Sequence, residues 1–224
     1  NLFMDIYSIL MCLCVIGIFI LIGKLKSNYK KAEQGRAGEA KVAKSLKFWM
    51  KKRNKTYVYN DLTLPTRSGR TTQIDHLVLS RKGLFVIETK NLNGKIYADI
   101  DKPQWKHINR KGMKNDIYNP IFQNNGHIGH LASLFDEPNS SFTGIVTNIG
   151  SATIKGSVNP LFGKCLIERG TGFVFRMWRS QNRFDQAHID HLMKIVEENK
   201  LEQSAKTNKT HLENVRRKKK WKLM

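Results

Sequence analysis

Residues 6–23 form an uncharged run of 18 residues dominated by Ile, Leu, Val, Met, Phe and Cys, and no other stretch constrains the chain as much. As an α-helix rising 1.5 Å per residue, a run of this length spans about 27 Å, close to the hydrocarbon thickness of a bilayer. A cleaved signal peptide would need a basic residue before the run and a small-residue cleavage site after it. Here Asp5 precedes the run and Gly23-Lys24-Leu25-Lys26 follows it. The expectation is therefore an uncleaved transmembrane helix over residues 6–23, with residues 1–5 as a short extracytoplasmic end. Lys24, Lys26, Lys30 and Lys31 make residues 24–32 a basic juxtamembrane linker. The positive-inside rule then gives a single-pass protein of the cell membrane, N-terminus outside and everything downstream in the cytoplasm. An opening Asn1 in place of Met leads us to expect a few residues before the numbered chain.

Downstream of that run the charge is informative. The chain has 224 residues, 39 Lys+Arg against 18 Asp+Glu, for a net charge of +21. Residues 1–32 carry +3, residues 202–224 carry +6, and residues 33–201 keep +12. A domain this basic favours a polyanion as partner, either nucleic acid or an anionic membrane surface. With 40% hydrophobic and 9% aromatic residues, a wholly disordered basic protein is excluded. The length suits one domain with appendages, placed at residues 33–201. Cys12, Cys14 and Cys165 form neither a disulfide framework nor a zinc-type spacing, which fits a reducing setting for the soluble part. The tail, residues 202–224, contains Arg216, Arg217, Lys218, Lys219, Lys220 and Lys222 around Trp221. Two partners suit it equally: anionic lipid headgroups or nucleic-acid phosphates.

Periodicity predicts a helix over residues 34–50, where Glu39, Ala43, Leu46 and Met50 share one face and Lys41, Lys44 and Lys47 the other. Strands are expected over residues 56–64, stopped by Pro65, and over residues 72–80 and 84–90, joined by a turn at Arg81-Lys82-Gly83. A fourth strand is expected over residues 94–100. Asn119-Pro120 reads as N-cap and first residue of a helix ending near Phe135. Strands over residues 141–149 and 165–168 follow, then a helix over residues 185–201 with Ile189, Leu192, Met193 and Val196 as its apolar stripe. The fold class is α/β (α+β), a mixed central sheet flanked by helices.

Chemistry concentrates on two of these strands. Asp75 lies on the first arm of the hairpin, and Glu88 and Lys90, two apart, project to the same face of the second. A two-residue turn pairs Ser80 with Gly83 and brings Asp75 opposite Glu88; a three-residue turn needs a bulge to restore that pair. The co-facial arrangement is the expected one. Adjacent carboxylates repel unless protonated or bridged, and Mg²⁺ or Mn²⁺ is the usual bridge for oxygen ligands. Lys90 beside them suits either the developing charge on a phosphate or the activation of an attacking water. Glu39 either points into this site or serves as a charge near a helix N-terminus. Gln123 shares a helix face with His127, His130 and Leu134, and either reaches the pocket or makes structural hydrogen bonds. His127 and His130 have zinc-pair spacing but no third nitrogen or sulfur ligand. His76 suits a hydrogen bond at the strand end ahead of a direct catalytic role, and Trp105 a core or lid position ahead of a base-stacking platform.

Several segments resemble a known family in order: Gly35-Arg36-Ala37-Gly38-Glu39, Tyr59-Asn60-Asp61-Leu62, Thr72-Gln73-Ile74-Asp75-His76-Leu77, Gly83-Leu84-Phe85-Val86-Ile87-Glu88-Thr89-Lys90-Asn91, Gly94-Lys95-Ile96, Trp105 and Asn119-Pro120-Ile121-Phe122-Gln123. Over residues 33–150 the chain is similar to the nuclease-related domain (NERD) family of the PD-(D/E)XK nuclease superfamily. That resemblance implies a restriction-endonuclease-like sheet flanked by helices and a Mg²⁺-dependent phosphodiesterase. It implies Asp75 and Glu88 as metal ligands with the Thr89 backbone carbonyl, Lys90 as catalytic lysine, Glu39 as helix carboxylate and Gln123 as accessory polar residue. The expected activity is a membrane-anchored, cytoplasm-facing nuclease acting on DNA ahead of RNA. The rival is a non-catalytic nucleic-acid or membrane tether that keeps the fold; a third reading is a structural interaction domain in which Asp75, Glu88 and Lys90 form only an ion-pair network.

Overall fold

The protein is described here by a computed structural model covering residues 2–50, 55–157, 161–162 and 165–202. The basic tail residues Arg216 to Lys222 lie outside the described residues. The chain divides into two units, Asn1–Ala37 and Gly38–Met224.

Helix α1 is Leu2–Trp49, 48 residues without a break. Residues 24–32, expected as a linker between two helices, are helical. The reason is local: they contain no Pro or Gly, and Lys, Leu and Ala are strong helix formers. In the first unit Leu13, Ile16, Phe19 and Leu21 are exposed, and none of the apolar window is covered by protein. α1 is long and apolar enough to cross a membrane.

In the second unit β1 (Tyr57–Pro65), β2 (Thr71–Ser80) and β3 (Gly83–Lys90) form an antiparallel meander. Then come β4 (Lys95–Asp99), β5 (Gln104–Ile108) and β6 (Lys114–Tyr118), followed by α2 (Pro120–Phe135). β7 (Phe142–Asn148), β8 (Thr153–Ser157), β9 (Leu161–Phe162) and β10 (Cys165–Arg169) lead to α3 (Gly172–Arg179) and α4 (Gln186–Asn199). The expected mixed central sheet flanked by helices is the larger of two mixed sheets, with six strands in the order β1-β2-β3-β7-β10-β9; the other has four in the order β6-β5-β4-β8.

Both faces of the larger sheet are covered. Val42, Leu46 and Met50 of α1 pack with Phe173, Val174 and Met177 of α3 against Val78, Phe85 and Ile87. On the opposite face, Ile128, Leu131 and Phe135 of α2 and Ile189, Leu192 and Val196 of α4 cover Leu77, Leu79, Leu84 and Val86. Double coverage explains why β3 reads Gly-Leu-Phe-Val-Ile without alternation. β3 and β7 are parallel neighbours, and β4 and β8, which follow them, are parallel neighbours in the second sheet. The connecting segments are tied together: the Ile149 N–H donates to the Lys90 carbonyl at 2.8 Å, and Asn148 Oδ1 accepts from the Leu92 N–H at 2.9 Å. The C-terminal end of β3 is thereby fixed at the crossing of the two sheets.

Candidate active site

The hairpin register is the two-residue one. Ser80 pairs with Gly83, and pairing continues to His76 opposite Ile87. One step further brings Asp75 level with Glu88, and Asp75 Oδ2 accepts the Thr89 N–H at 2.7 Å. On β1, Asp61 adopts φ 53° and accepts a hydrogen bond from Gln73 Nε2. Side-chain alternation shifts there: Tyr57 and Tyr59 pack on the same core as Leu62 and Leu64.

Glu88 is 1% exposed. Its Oε1 is 2.5 Å from Lys90 Nζ, which also donates to Gln123 Oε1 at 3.2 Å. Its Oε2 is buried without a hydrogen-bond partner, 3.7 Å from His127 Nε2. His127 Nδ1 is 2.9 Å from Thr72 Oγ1. Placement of these α2 side chains follows from the helix's own anchors. Asn119 caps it by accepting the Ile121 N–H at 2.9 Å, and Asn124 Nδ2 donates to the Val86 and Ile145 carbonyls at 3.0 and 3.3 Å. Residues on either side of Asn124 in the helical repeat, Gln123 and His127, then face the end of β3. Glu39 comes from α1 on the other face of the sheet, where Gly38 lies so close to β3 that an added Cβ would sit 2.8 Å from the Asn91 Cβ.

The electrostatics follow from crowding. Burial, then the Glu88 charge, raise Asp75 well above its ordinary value of 3.8; Glu39 adds to this, while Lys90 and the Thr89 N–H oppose it. Burial also works to raise Glu88, but Lys90 and His127 overcome it and hold that carboxyl below 4.5. For Lys90, burial is outweighed by Glu88, Asp75 and Glu39, so its pKa rises and the ammonium stays charged. His76, buried with Nδ1 2.7 Å from Asn60 Oδ1, is lowered by burial to about 4.

Thus Asp75, Glu88, Thr89, Lys90 and Gln123 are brought together, with Glu39 within electrostatic reach. His127 belongs with them, against Glu88 rather than in a zinc pair; its i+4 spacing from Gln123 was the available signal. Among the described residues no group of three or more His, Cys, Asp or Glu is placed to hold a metal ion. His127 and His130 therefore gain no third ligand, and Glu39 completes no such cluster with Asp75 and Glu88. What is present fits a hard divalent cation such as Mg²⁺, which binds through one or two carboxylates and keeps several waters or phosphate oxygens. The orphaned Glu88 Oε2 and the strained charge on Asp75 are the observations that fit it. Trp105 is a core residue, 2% exposed, its Nε1 donating to the Asp99 carbonyl at 2.7 Å.

An uncharacterised protein of Bacillus anthracis is 35% identical over 126 residues, which is 56% of this chain and 58% of that protein. The chain therefore spans little more than half the length of that relative. No solved structure matches. The nuclease-related domain model matches residues 34–149, the stretch that carries Glu39, Asp75, Glu88, Lys90 and Gln123, and the chain belongs to that family, within the PD-(D/E)XK nuclease superfamily.

Proposed function

We propose that the protein is a membrane-anchored, cytoplasm-facing nuclease that hydrolyses phosphodiester bonds, in DNA ahead of RNA. One observation carries the reading: the half-buried Asp75 and the buried Glu88 converge with a lysine at the end of β3, and one Glu88 carboxylate oxygen makes no hydrogen bond. Asp75 and Glu88, with the Thr89 carbonyl, would hold Mg²⁺ or Mn²⁺, which when bound supplies Lewis-acid activation of water and phosphate. Lys90 stays protonated because three carboxylates raise its pKa, so its role is to stabilise negative charge developing on the phosphate, not to take a proton. Gln123 orients that ammonium through its 3.2 Å hydrogen bond. Glu39 reinforces the charge state of Lys90. The surplus of basic residues holds the nucleic-acid backbone without reading sequence. The exposed apolar helix supports the anchor, and the lysines after it support the N-out, C-in orientation.

The test is purified residues 33–224 on plasmid DNA and on RNA, with Mg²⁺, Mn²⁺ or chelator, beside Glu88→Ala and Lys90→Ala. Metal-dependent cutting that both variants lose is the expected result. The tight Glu88–Lys90 contact is also what a structural ion pair looks like, and tight binding with no cutting under any condition would favour a non-catalytic tether.

A further inference from the structure

On α1, Lys41, Lys44 and Phe48 follow one another at i, i+3 and i+7 and form an exposed stripe. Together with Trp49, Ile149 and Thr171 they line an open groove of about 530 Å³. Phe48 is 56% exposed, a large ring on the solvent side of a helix otherwise occupied there by lysines. Its centroid lies 5.1 Å from that of Trp49, edge to face. Trp49 is in turn held by Phe175 and Trp178, at 4.9 and 5.4 Å, so the indole is fixed by its neighbours. Rigid aromatic rings interleaved with cations serve ligands that offer flat apolar faces joined by anionic links. The lining residue Ile149 is tied through its backbone to the strand that carries Glu88 and Lys90, its N–H donating to the Lys90 carbonyl at 2.8 Å.

We propose that this groove seats a short stretch of single-stranded nucleic acid, with Phe48 and Trp49 stacking unpaired bases and Lys41 and Lys44 holding the phosphates between them. The proposal rests on the nuclease reading and narrows it to substrates with an unpaired strand or end. A duplex keeps its bases stacked inside and presents no free base face to Phe48, whereas an unpaired strand presents one at every nucleotide. Lysines without a base-edge reader give affinity without sequence preference.

The test uses the full chain in lipid nanodiscs, in chelator so that no cutting occurs, and follows the anisotropy of a fluorescein-labelled 12-nucleotide oligo-dT. Phe48→Ala and the double variant Lys41→Glu/Lys44→Glu are each expected to weaken binding about tenfold, in line with alanine substitution at stacking platforms. Phe48→Trp should restore it. A 12-nucleotide strand carrying 5-iodouracil is expected to photocrosslink to Phe48 or Trp49, and a blunt duplex of equal length should compete poorly. Unaltered binding in the variants, or crosslinks elsewhere, would overturn the proposal. So would displacement of the oligonucleotide by vesicles containing phosphatidylglycerol, which would make the groove a headgroup site. Groove-dependent binding without cutting in Mg²⁺ leaves the groove standing and removes the nuclease reading. Cutting of oligo-dT with binding unchanged in the variants removes the groove alone.

Discussion

Asp75 and His76 are consecutive on β2, yet their proton equilibria make opposite demands on folding. His76 has its pKa lowered from 6.5 to about 4 by burial. The folded state therefore binds this proton less readily than the unfolded chain, so its contribution to stability is complete above pH 6.5 and is lost as pH falls toward 4. For residues 33–224 this predicts a loss of about 2 kcal/mol in unfolding free energy between pH 7 and pH 5. Urea titrations at the two pH values measure it, and His76→Gln should flatten the slope. Asp75 has the reverse sign: its raised pKa makes its contribution complete below 3.8 and lost as pH rises through the folded value. In chelator at pH 8, Asp75→Asn is therefore expected to melt higher than the wild type, while its nuclease activity falls at least about 100-fold, the scale of losing a transition-state electrostatic partner. A variant that melts lower in chelator would show that the carboxylate pair carries no repulsive strain.

Among the elements, glycine separates packing from propensity. Gly38 of α1 faces Asn91, and an added Cβ would stand 2.8 Å from the Asn91 Cβ. Alanine there gains roughly 1 kcal/mol of helix propensity but forces α1 off the end of β3, a cost of about 1–3 kcal/mol. Gly126 and Gly129 of α2 have nothing within 4 Å of the same built atom. Gly126→Ala and Gly129→Ala should each stabilise by up to about 1 kcal/mol with activity unchanged, whereas Gly38→Ala should lose activity by displacing Glu39. Thermal melts beside nuclease assays check the contrast. The same elements show what the sequence could reveal. α2 was legible to the residue because Asn119-Pro120 is an unambiguous start signal, and the β2–β3 hairpin because apolar runs flank its turn. β5 and β6 were not, since Gln-Trp-Lys-His-Ile and Lys-Asn-Asp-Ile-Tyr carry few apolar residues and bury one face only. α3 was missed because its eight residues are too short for periodicity to register. In the site, Asp75, Glu88 and Lys90 were visible from strand spacing, while the approach of His127 to Glu88 depends on how α2 docks, which no local pattern encodes.

At the scale of the molecule, the problem is to reconcile an apolar run with a net charge of +21. Among the described residues the apolar window of α1 is uncovered, whereas the apolar residues of β2, β3, α2 and α4 pack into cores within the second unit. Removing residues 1–32 is therefore expected to leave the second unit soluble without detergent, since its core is made within Gly38–Met224. Orientation is a separate matter, for which the expectation rests on Lys24, Lys26, Lys30 and Lys31 against the single Asp5. Holding those four lysines on the cytoplasmic side predicts complete protection of the domain from protease added to right-side-out vesicles, and digestion once the vesicles are opened. Replacing the four lysines by Gln and placing lysines before residue 6 should invert part of the population. Cleavage of the wild-type domain from outside would put the basic site on the wrong side of the membrane for cytoplasmic nucleic acid and sink the orientation, leaving the chemistry at Asp75 and Glu88 to be judged by its own assay.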